Sequence, residues 1–255
     1  MVLGVSMIAA ILVFRSAVIL PLLFASTASP AAPARSDTLV ASDTCESSLN
    51  RFGTVRYDFY DTANKTSLGG GTNFHFEFTY TFTYRYVIQN EGNSASVAIH
   101  PKVTPSAHVW HDISLPLGLG DSTSWYRRLR RHELDHVAIS SDERPSLLFR
   151  YLVTHLPTLH RSMEPGAELA SLIRAAIADE LNARRAAVVD LIQANYNEFD
   201  QRTTHGVLPL NDRGAYFDSL YSRPNLEAHR FKWLEEAQPL LDMPRYRNAI
   251  RIRCD

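Results

Sequence analysis

The feature that most constrains this chain is the pentapeptide HELDH at residues 132–136. In an α-helix, residues four positions apart lie one above the other, so His132 and His136 can bind one metal ion together. Glu133 follows the first histidine by about 100° around the helix, which places a carboxylate beside the metal's open position. This HExxH pattern is typical of zinc metallopeptidases, in which the glutamate is the general base towards zinc-activated water. The pentapeptide therefore predicts two zinc ligands and a catalytic residue.

The surrounding residues predict a helix that buries both histidines. Residues 121–124 (DSTS) offer N-cap side chains, and no glycine or proline then follows until Pro145. At helical spacing, one side of this helix carries Trp125, Leu129, His132, His136 and Ser140. The alternative interpretation is an amphipathic helix whose histidines form ordinary hydrogen bonds in the core.

Charged residues occupy the other sides of the predicted helix. Asp135 departs from the usual motif, whose two middle residues are uncharged, and we expect it to be solvated or paired with Arg131. Four arginines flank Leu129, at positions 127, 128, 130 and 131. They could recognise an acidic substrate, but a solvated, ion-paired helix face is the more common role.

The first 28 residues predict a signal peptide for export. Arg15 is their only charge, residues 16–25 form an apolar core, and residues 26–28 are small enough for a signal peptidase site. A membrane anchor would place Arg15 in the middle of the bilayer, which costs about 2.5–3.5 kcal/mol. We therefore favour cleavage near Ala28 and a secreted or periplasmic protein with no stable membrane span after cleavage.

The motifs, together with composition, divide the remaining chain into three predicted parts. Residues 29–53 form a linker or N-terminal extension, residues 54–206 the zinc-dependent protease-like domain, and residues 207–255 a C-terminal extension without a firm pattern. The chain has 26 basic and 27 acidic side chains, so nothing indicates nucleic acid as a partner. Cys45 and Cys254 are the only cysteines, and in an exported protein they predict one disulfide, with two unpaired thiols as the alternative.

The order of the secondary-structure patterns predicts an α+β fold. Residues 74–88 carry aromatic residues at period two, which predicts a strand that faces the core, and residues 95–103 predict the return strand of a hairpin. After the motif helix we expect a shorter helix over 146–156 and a long helix over 164–200. This is a zincin-like arrangement, in which an antiparallel sheet precedes the motif helix and a long downstream helix.

A catalytic zinc needs a third protein ligand from elsewhere in the chain. His205 is the best candidate, because a turn onto Gly206 after the long helix could direct its imidazole back, with Asp200 and Thr203 near its second nitrogen. The alternative role of this segment is a polar cap on the long helix. Glu180 is the second candidate ligand, although a salt bridge with Arg184, four residues later, is its simpler role.

Two motifs in this order resemble one known family. The chain has HELDH with Trp125 before it and FDxxTxHG at residues 199–206. This resembles a bacterial domain-of-unknown-function family described as secreted zinc-dependent proteases, which couples HExxH to YDxxTxHG. The resemblance covers roughly residues 55–206. It implies His132 and His136 as ligands, Glu133 as base and His205 as a functional residue, whereas Phe199 replaces the family's tyrosine.

These observations together predict a zinc metallopeptidase that acts on protein or peptide substrates. A non-catalytic zinc-binding or structural envelope protein is the main alternative, and an adhesion module with an accidental HExxH is the other. Among the remaining histidines, we expect His75 and His100 to be exposed strand residues and His108 and His111 to be surface or turn residues.

Overall fold

The computed structural model describes residues 54–60, 69–91, 94–117, 124–164 and 168–251. The predicted signal peptide, the linker over 29–53 and both cysteines, Cys45 and Cys254, lie outside these residues, so those predictions stay predictions. No helix within the described ranges is long and apolar enough to cross a membrane.

In the described chain three strands come first, and helices with one further strand between them follow. A run of strands, β1 (Thr54–Tyr60), β2 (Gly71–Glu91) and β3 (Ser94–Pro116), precedes the motif helix α1 (Ser124–Ser140). There follow α2 (Glu143–Thr154), β4 (Leu159–Met163) and the long helix α3 (Leu169–Thr203). Four short helices complete the chain: α4 (Arg213–Ser219), α5 (Arg223–Ala228), α6 (Leu234–Leu241) and α7 (Pro244–Arg247). The predicted α+β class is confirmed.

The sheet is built around the long central strand β3. β2 pairs antiparallel with β3 along its whole length, from Gly71 opposite Ser114 to Glu91 opposite Ser94. The other edge of β3 is shared between β4, which is antiparallel, and β1, which is parallel. The sheet is therefore mixed, where the sequence predicted an antiparallel one. The reason is that β3 inserts between two successive antiparallel strands, β1 and β2, and must run parallel to one of them.

The return strand is longer than the predicted range of residues 95–103. β3 continues to residue 116 although it contains Pro101 and Pro105. Both lie between the stretches paired with β4 and β1, where β2 is the one described neighbour of β3. A proline lacks an N–H to donate, so a strand tolerates it where no second partner needs that hydrogen bond.

The predicted aromatic strand forms one wall of the hydrophobic core. Its inward side chains at alternate positions are buried: Phe76, Phe78, Tyr80 and Phe82. Phe149 from α2 packs edge-on against Phe76 and Phe78, with ring centroids 5.7 and 5.3 Å apart. Such edge-to-face pairs add to the stabilisation from burial. The interpretation of this stripe as core is confirmed.

The helix boundaries differ from the predicted ones for local reasons. α1 ends at Ser140, and α2 already begins at Glu143, because the Asp142 side chain accepts a hydrogen bond from the Arg144 N–H as an N-cap. Pro145 lies in the first turn of α2, where a backbone N–H has no hydrogen-bond partner within the helix, so proline is tolerated there.

Two further elements differ from the prediction. The five-residue strand β4 was not predicted, and α3 begins five residues later than expected. The predicted Glu180–Arg184 salt bridge is confirmed at 3.0 Å.

The C-terminal helices pack into the same core as the strands. Leu220, Tyr221 and Leu226 are fully buried. The Tyr221 hydroxyl donates a 2.8 Å hydrogen bond to the carbonyl of Ile139 in the last turn of α1. Carbonyls in the last turn of a helix have no partner within that helix. A segment that showed no firm sequence pattern therefore holds the motif helix in place.

We expect Tyr221→Phe to lower the free energy of unfolding by about 1–2 kcal/mol, because the Ile139 carbonyl would be left buried without a partner. Tyr84→Phe is the matched control, since Tyr84 is only half-buried, and it should change stability by less than about 0.5 kcal/mol. Urea denaturation followed by circular dichroism measures both. Equal effects of the two substitutions would show that the hydrogen bond contributes nothing.

Candidate metal centre

The motif helix and the C-terminal end of α3 bring three donor atoms together. His132 Nε2 and His136 Nε2 lie 3.2 Å apart. Asp200 Oδ1 lies 3.0 Å from the first and 2.9 Å from the second. Both imidazoles are buried, whereas the Asp200 side chain is 26% exposed. Within the described residues, this is the one group of three or more such side chains that could hold a metal ion.

The spacing of these atoms suits a zinc ion. With zinc–ligand bonds of about 2.0–2.1 Å in tetrahedral geometry, two ligand atoms lie about 3.3 Å apart. The three observed separations are close to that value. Two imidazoles and a carboxylate are also a donor set that zinc takes in catalytic sites. The residues present therefore fit a divalent zinc ion.

Thr203 sets the tautomer of His132. Its hydroxyl donates to the Phe199 carbonyl at 2.8 Å, so its lone pairs remain to accept from His132 Nδ1, 3.4 Å away. A proton on Nδ1 leaves the Nε2 lone pair directed at the cluster. Metal-binding histidines are commonly oriented by such a second hydrogen bond. His136 Nδ1 differs, because it has no hydrogen-bond partner among the described residues.

A buried polar network lies beneath His136. The Ser140 hydroxyl lies 2.7 Å from the Tyr196 hydroxyl and 2.6 Å from His111 Nε2. The Tyr196 ring packs against His136 with centroids 4.5 Å apart. The expectation that His111 lies at the surface is wrong. It alternates with Val109, Ile113 and Leu115 on the buried face of β3, and that period of two was the available signal.

The Glu133 carboxylate is held beside the cluster by β2. It is 3% exposed and accepts a 2.7 Å hydrogen bond from the Thr72 hydroxyl. The backbone at Gly70 lies so close that a Cβ there would be 2.8 Å from Glu133 Cδ. Burial raises the pKa of Glu133, although His136, the Thr72 hydrogen bond and His132 oppose the rise. A raised pKa suits a carboxylate that exchanges protons near neutral pH.

Tyr60 lies near Glu133 at the end of β1. Its hydroxyl donates to the carbonyl of Gly69. Burial raises the pKa of Tyr60, and the negative charge of Glu133 adds to the rise. The ends of β1 and β2 thus meet at the carboxylate, which the sequence analysis did not foresee.

Four residues of the FDxxTxHG segment enclose His132, and they are Phe199, Asp200, Thr203 and Gly206. The Phe199 ring stacks on it with centroids 4.9 Å apart and planes 15° apart. Asp200 and Thr203 contact its two ring nitrogens. Gly206 has φ +79°, and a Cβ there would lie 2.9 Å from His132 Cγ. Glycine is therefore required both by the backbone conformation and by the close approach.

The structure leaves the two predicted third ligands outside the cluster. Thr204 and His205 continue from α3 in the left-handed conformation, with φ 50° and 51°. The His205 side chain is consequently 80% exposed, and its Nδ1 lies 3.7 Å from Asp200 Oδ1. Glu180 precedes Asp200 by 20 residues on α3, about 30 Å along the helix axis. The geometry favours Asp200, which the sequence analysis had assigned only to support His205.

Asp135 is neither solvated nor paired mainly with Arg131, as the sequence analysis expected. The Asp135 side chain is 6% exposed and forms an ion pair with Arg213 from α4. The Nε atom of Arg213 lies 3.2 Å from each of the two carboxylate oxygens of Asp135. Burial raises the pKa of Asp135, and the hydrogen bond and charge of Arg213 oppose the rise. The extra charge in the motif is thus compensated by a residue 78 positions away.

The other strand histidines lie on the sheet face away from the motif helix. His75 pairs with Asp112 at 2.8 Å and is 16% exposed, so it is less accessible than expected. His100 and His108 are exposed. None of the three belongs to the cluster.

No protein-family model, curated protein or solved structure matches this chain.

We expect purified protein to bind about one equivalent of zinc, and Asp200→Ala to weaken zinc binding at least about 100-fold, since even residues that merely orient ligands cost 10–100-fold. His205→Ala is the matched control and should retain the metal. Competition with a chromophoric chelator measures the affinities. The reverse result, zinc lost with His205→Ala and kept with Asp200→Ala, would make His205 the third ligand.

Proposed function

We propose that this protein is a zinc-dependent peptidase in which His132, His136 and Asp200 hold the ion and Glu133 is the general base. The observation that carries the proposal is the convergence of three donor atoms within 3.2 Å beside a buried carboxylate. Structural zinc sites usually have four protein ligands. Three such donors converge among the described residues, an arrangement that leaves a position for water.

Each side chain has a separate task in the proposed reaction. A zinc ion at this site would lower the pKa of water to about 7 and polarise the scissile carbonyl. Glu133 accepts the proton of the attacking water and delivers it to the leaving amine. Thr72 fixes the carboxylate through its 2.7 Å hydrogen bond. Although burial alone would raise the pKa of Asp200, its hydrogen bonds with His132 and His136 hold that pKa below the usual range, so Asp200 stays ionised.

The contacts of the second motif support the proposed family. We propose that the chain is related to the secreted zinc-dependent proteases that couple HExxH to YDxxTxHG. Phe199, which stands where that family has tyrosine, stacks on His132 through its ring, so this packing does not need a hydroxyl. A zincin-like architecture is part of the same proposal. It is supported by the packing of α1 between the sheet and the long helix α3.

The proposed place of action rests on the sequence. The apolar residues 1–28 predict a cleaved export signal, so we propose a secreted or periplasmic enzyme that meets protein or peptide substrates there. The balanced charge of the chain gives no reason to propose a nucleic acid substrate.

We expect Glu133→Gln to reduce peptide hydrolysis by about 10²–10⁴-fold, because an amide cannot accept the proton of water. The variant should keep its zinc and its thermal stability, since Glu133 is not one of the three donors. Zinc-loaded wild type and variant are incubated with a mixed peptide library, and the products are measured by mass spectrometry. No cleavage by the zinc-loaded wild type, or equal cleavage by both proteins, would refute the peptidase assignment.

Gly70 and Gly71 provide a matched test of how Glu133 is positioned. A Cβ at Gly70 would overlap the Glu133 side chain, whereas a Cβ at Gly71 meets nothing within 4 Å. We expect Gly70→Ala to lower kcat about 100-fold by displacing the carboxylate, since a shift of about 1 Å can cost that much. Gly71→Ala should have little effect, and both variants should bind zinc normally. Equal kcat values for the two variants would contradict the positioning role.

A further inference from the structure

A cleft of about 230 Å³ opens on the flank of α1 that faces away from Glu133. Relative to His132, Glu133 lies about 100° to one side around the helix and Arg131 about 100° to the other. The cleft, here called the basic cleft, is lined by Arg128, Arg131 and Asp135 of α1, by the His132 ring and by five residues that follow α3, which are Gly206, Leu208, Pro209, Leu210 and Arg213. The imidazole of His132 thus separates the basic cleft from the metal-binding atoms.

The basic cleft carries an excess of positive charge. Arg128, Arg131 and Arg213 line it, and Asp135 is its one acidic lining residue. Asp135 is already bonded to Arg213. Arg128 and Arg131 are exposed, and neither forms an ion pair with a described carboxylate at hydrogen-bonding distance. The guanidinium groups of Arg128 and Arg131 are therefore available to bind an anionic group of a ligand.

The opposite wall of the basic cleft is apolar. Leu208, Pro209 and Leu210 form it, in the loop that follows the left-handed turn. Leu208 is 53% exposed, although leucine side chains are usually buried. An apolar wall facing two arginines suits a ligand with an aliphatic stem and a carboxylate at its end. A glutamate side chain has that chemistry.

We propose that the basic cleft binds an acidic side chain of the peptide substrate, next to the residue whose bond is broken. The inference rests on the proposed peptidase function. A peptide whose carbonyl reaches the three donor atoms extends from them along the flank of α1 that β2 leaves open. Glu133, Gly70 and Thr72 occupy one flank, and the basic cleft lies on the other. Arg128 and Arg131 then select glutamate over glutamine through charge-assisted hydrogen bonds.

Binding to a zinc-loaded but inert protein tests this selection without requiring turnover. The Glu133→Gln protein is titrated with two dansylated peptides, Ala-Leu-Glu-Leu-Ala and Ala-Leu-Gln-Leu-Ala. Each peptide can bind in the register that places its central residue, Glu or Gln, in the basic cleft. We expect the glutamate peptide to bind about tenfold more tightly in 50 mM NaCl, and the difference to shrink in 500 mM NaCl, because salt screens exposed charges.

Substitutions inside and outside the basic cleft locate the effect. Arg128→Gln/Arg131→Gln in the same background should abolish the preference for glutamate. Arg150→Gln is the control, because Arg150 is exposed on α2 and does not line the basic cleft. Thermal unfolding verifies that all the proteins are folded to the same extent.

The two proposals fail in different ways. Equal binding of the two peptides, no binding of either, or a preference that survives the double substitution would each overturn the role of the basic cleft. A zinc-loaded wild type that binds the glutamate peptide selectively but cleaves no peptide of the mixed library would instead overturn the peptidase proposal and leave acidic recognition standing.

Discussion

The contact between the middle of α1 and the C-terminal end of α3 determines everything else at this site. His132 is covered by the Phe199 ring, flanked by Asp200 and Thr203, and closed in by Gly206. Phe199, Asp200 and Thr203 make these contacts from the last turns of α3, and the left-handed turn that follows Thr203 brings Gly206 against the same imidazole. The strain of two non-glycine residues in that conformation costs of order 1–3 kcal/mol each and is retained where surrounding structure imposes it. Here the enclosure of His132 imposes it.

Burial at the same contact carries an electrostatic cost for Glu133, whereas the two imidazoles stabilise the ionised form of Asp200. Glu133 and Asp200 bring two carboxylates into a largely buried space with two imidazoles. Burial disfavours the ionised form of a carboxylate, as the raised pKa of Glu133 shows. A divalent ion offsets two such charges at once, which is how buried acidic groups are commonly compensated. A divalent ion beside Glu133 would offset its charge, so the electrostatics of the site agree with the proposed metal centre.

Local periodicity made much of the fold predictable, and long-range pairing limited the rest. The aromatic strand, the burial of the motif histidines and the Glu180–Arg184 bridge follow from periods of 2 and 3.6 residues. The parallel partner of β3, the pairing of Asp135 with Arg213 and the burial of His111 depend on residues far away in the sequence. The third donor shows this limit. The segment 199–206 stands out in the sequence, but Asp200 faces the histidines from within α3, whereas the left-handed turn after Thr203 directs His205 to solvent.

The helical period also explains why one short helix can carry ligands, base and substrate recognition together. Ligands four residues apart share a line, and the residues immediately before and after His132 lie on opposite flanks. β2 closes the flank of Glu133, whereas the flank of Arg131 stays open as the basic cleft. An unpaired Asp135 would cancel part of the positive charge of that cleft and would repel an acidic side chain. Its buried pairing with Arg213 removes that conflict, so the departure from the usual motif is consistent with an acidic preference on this flank.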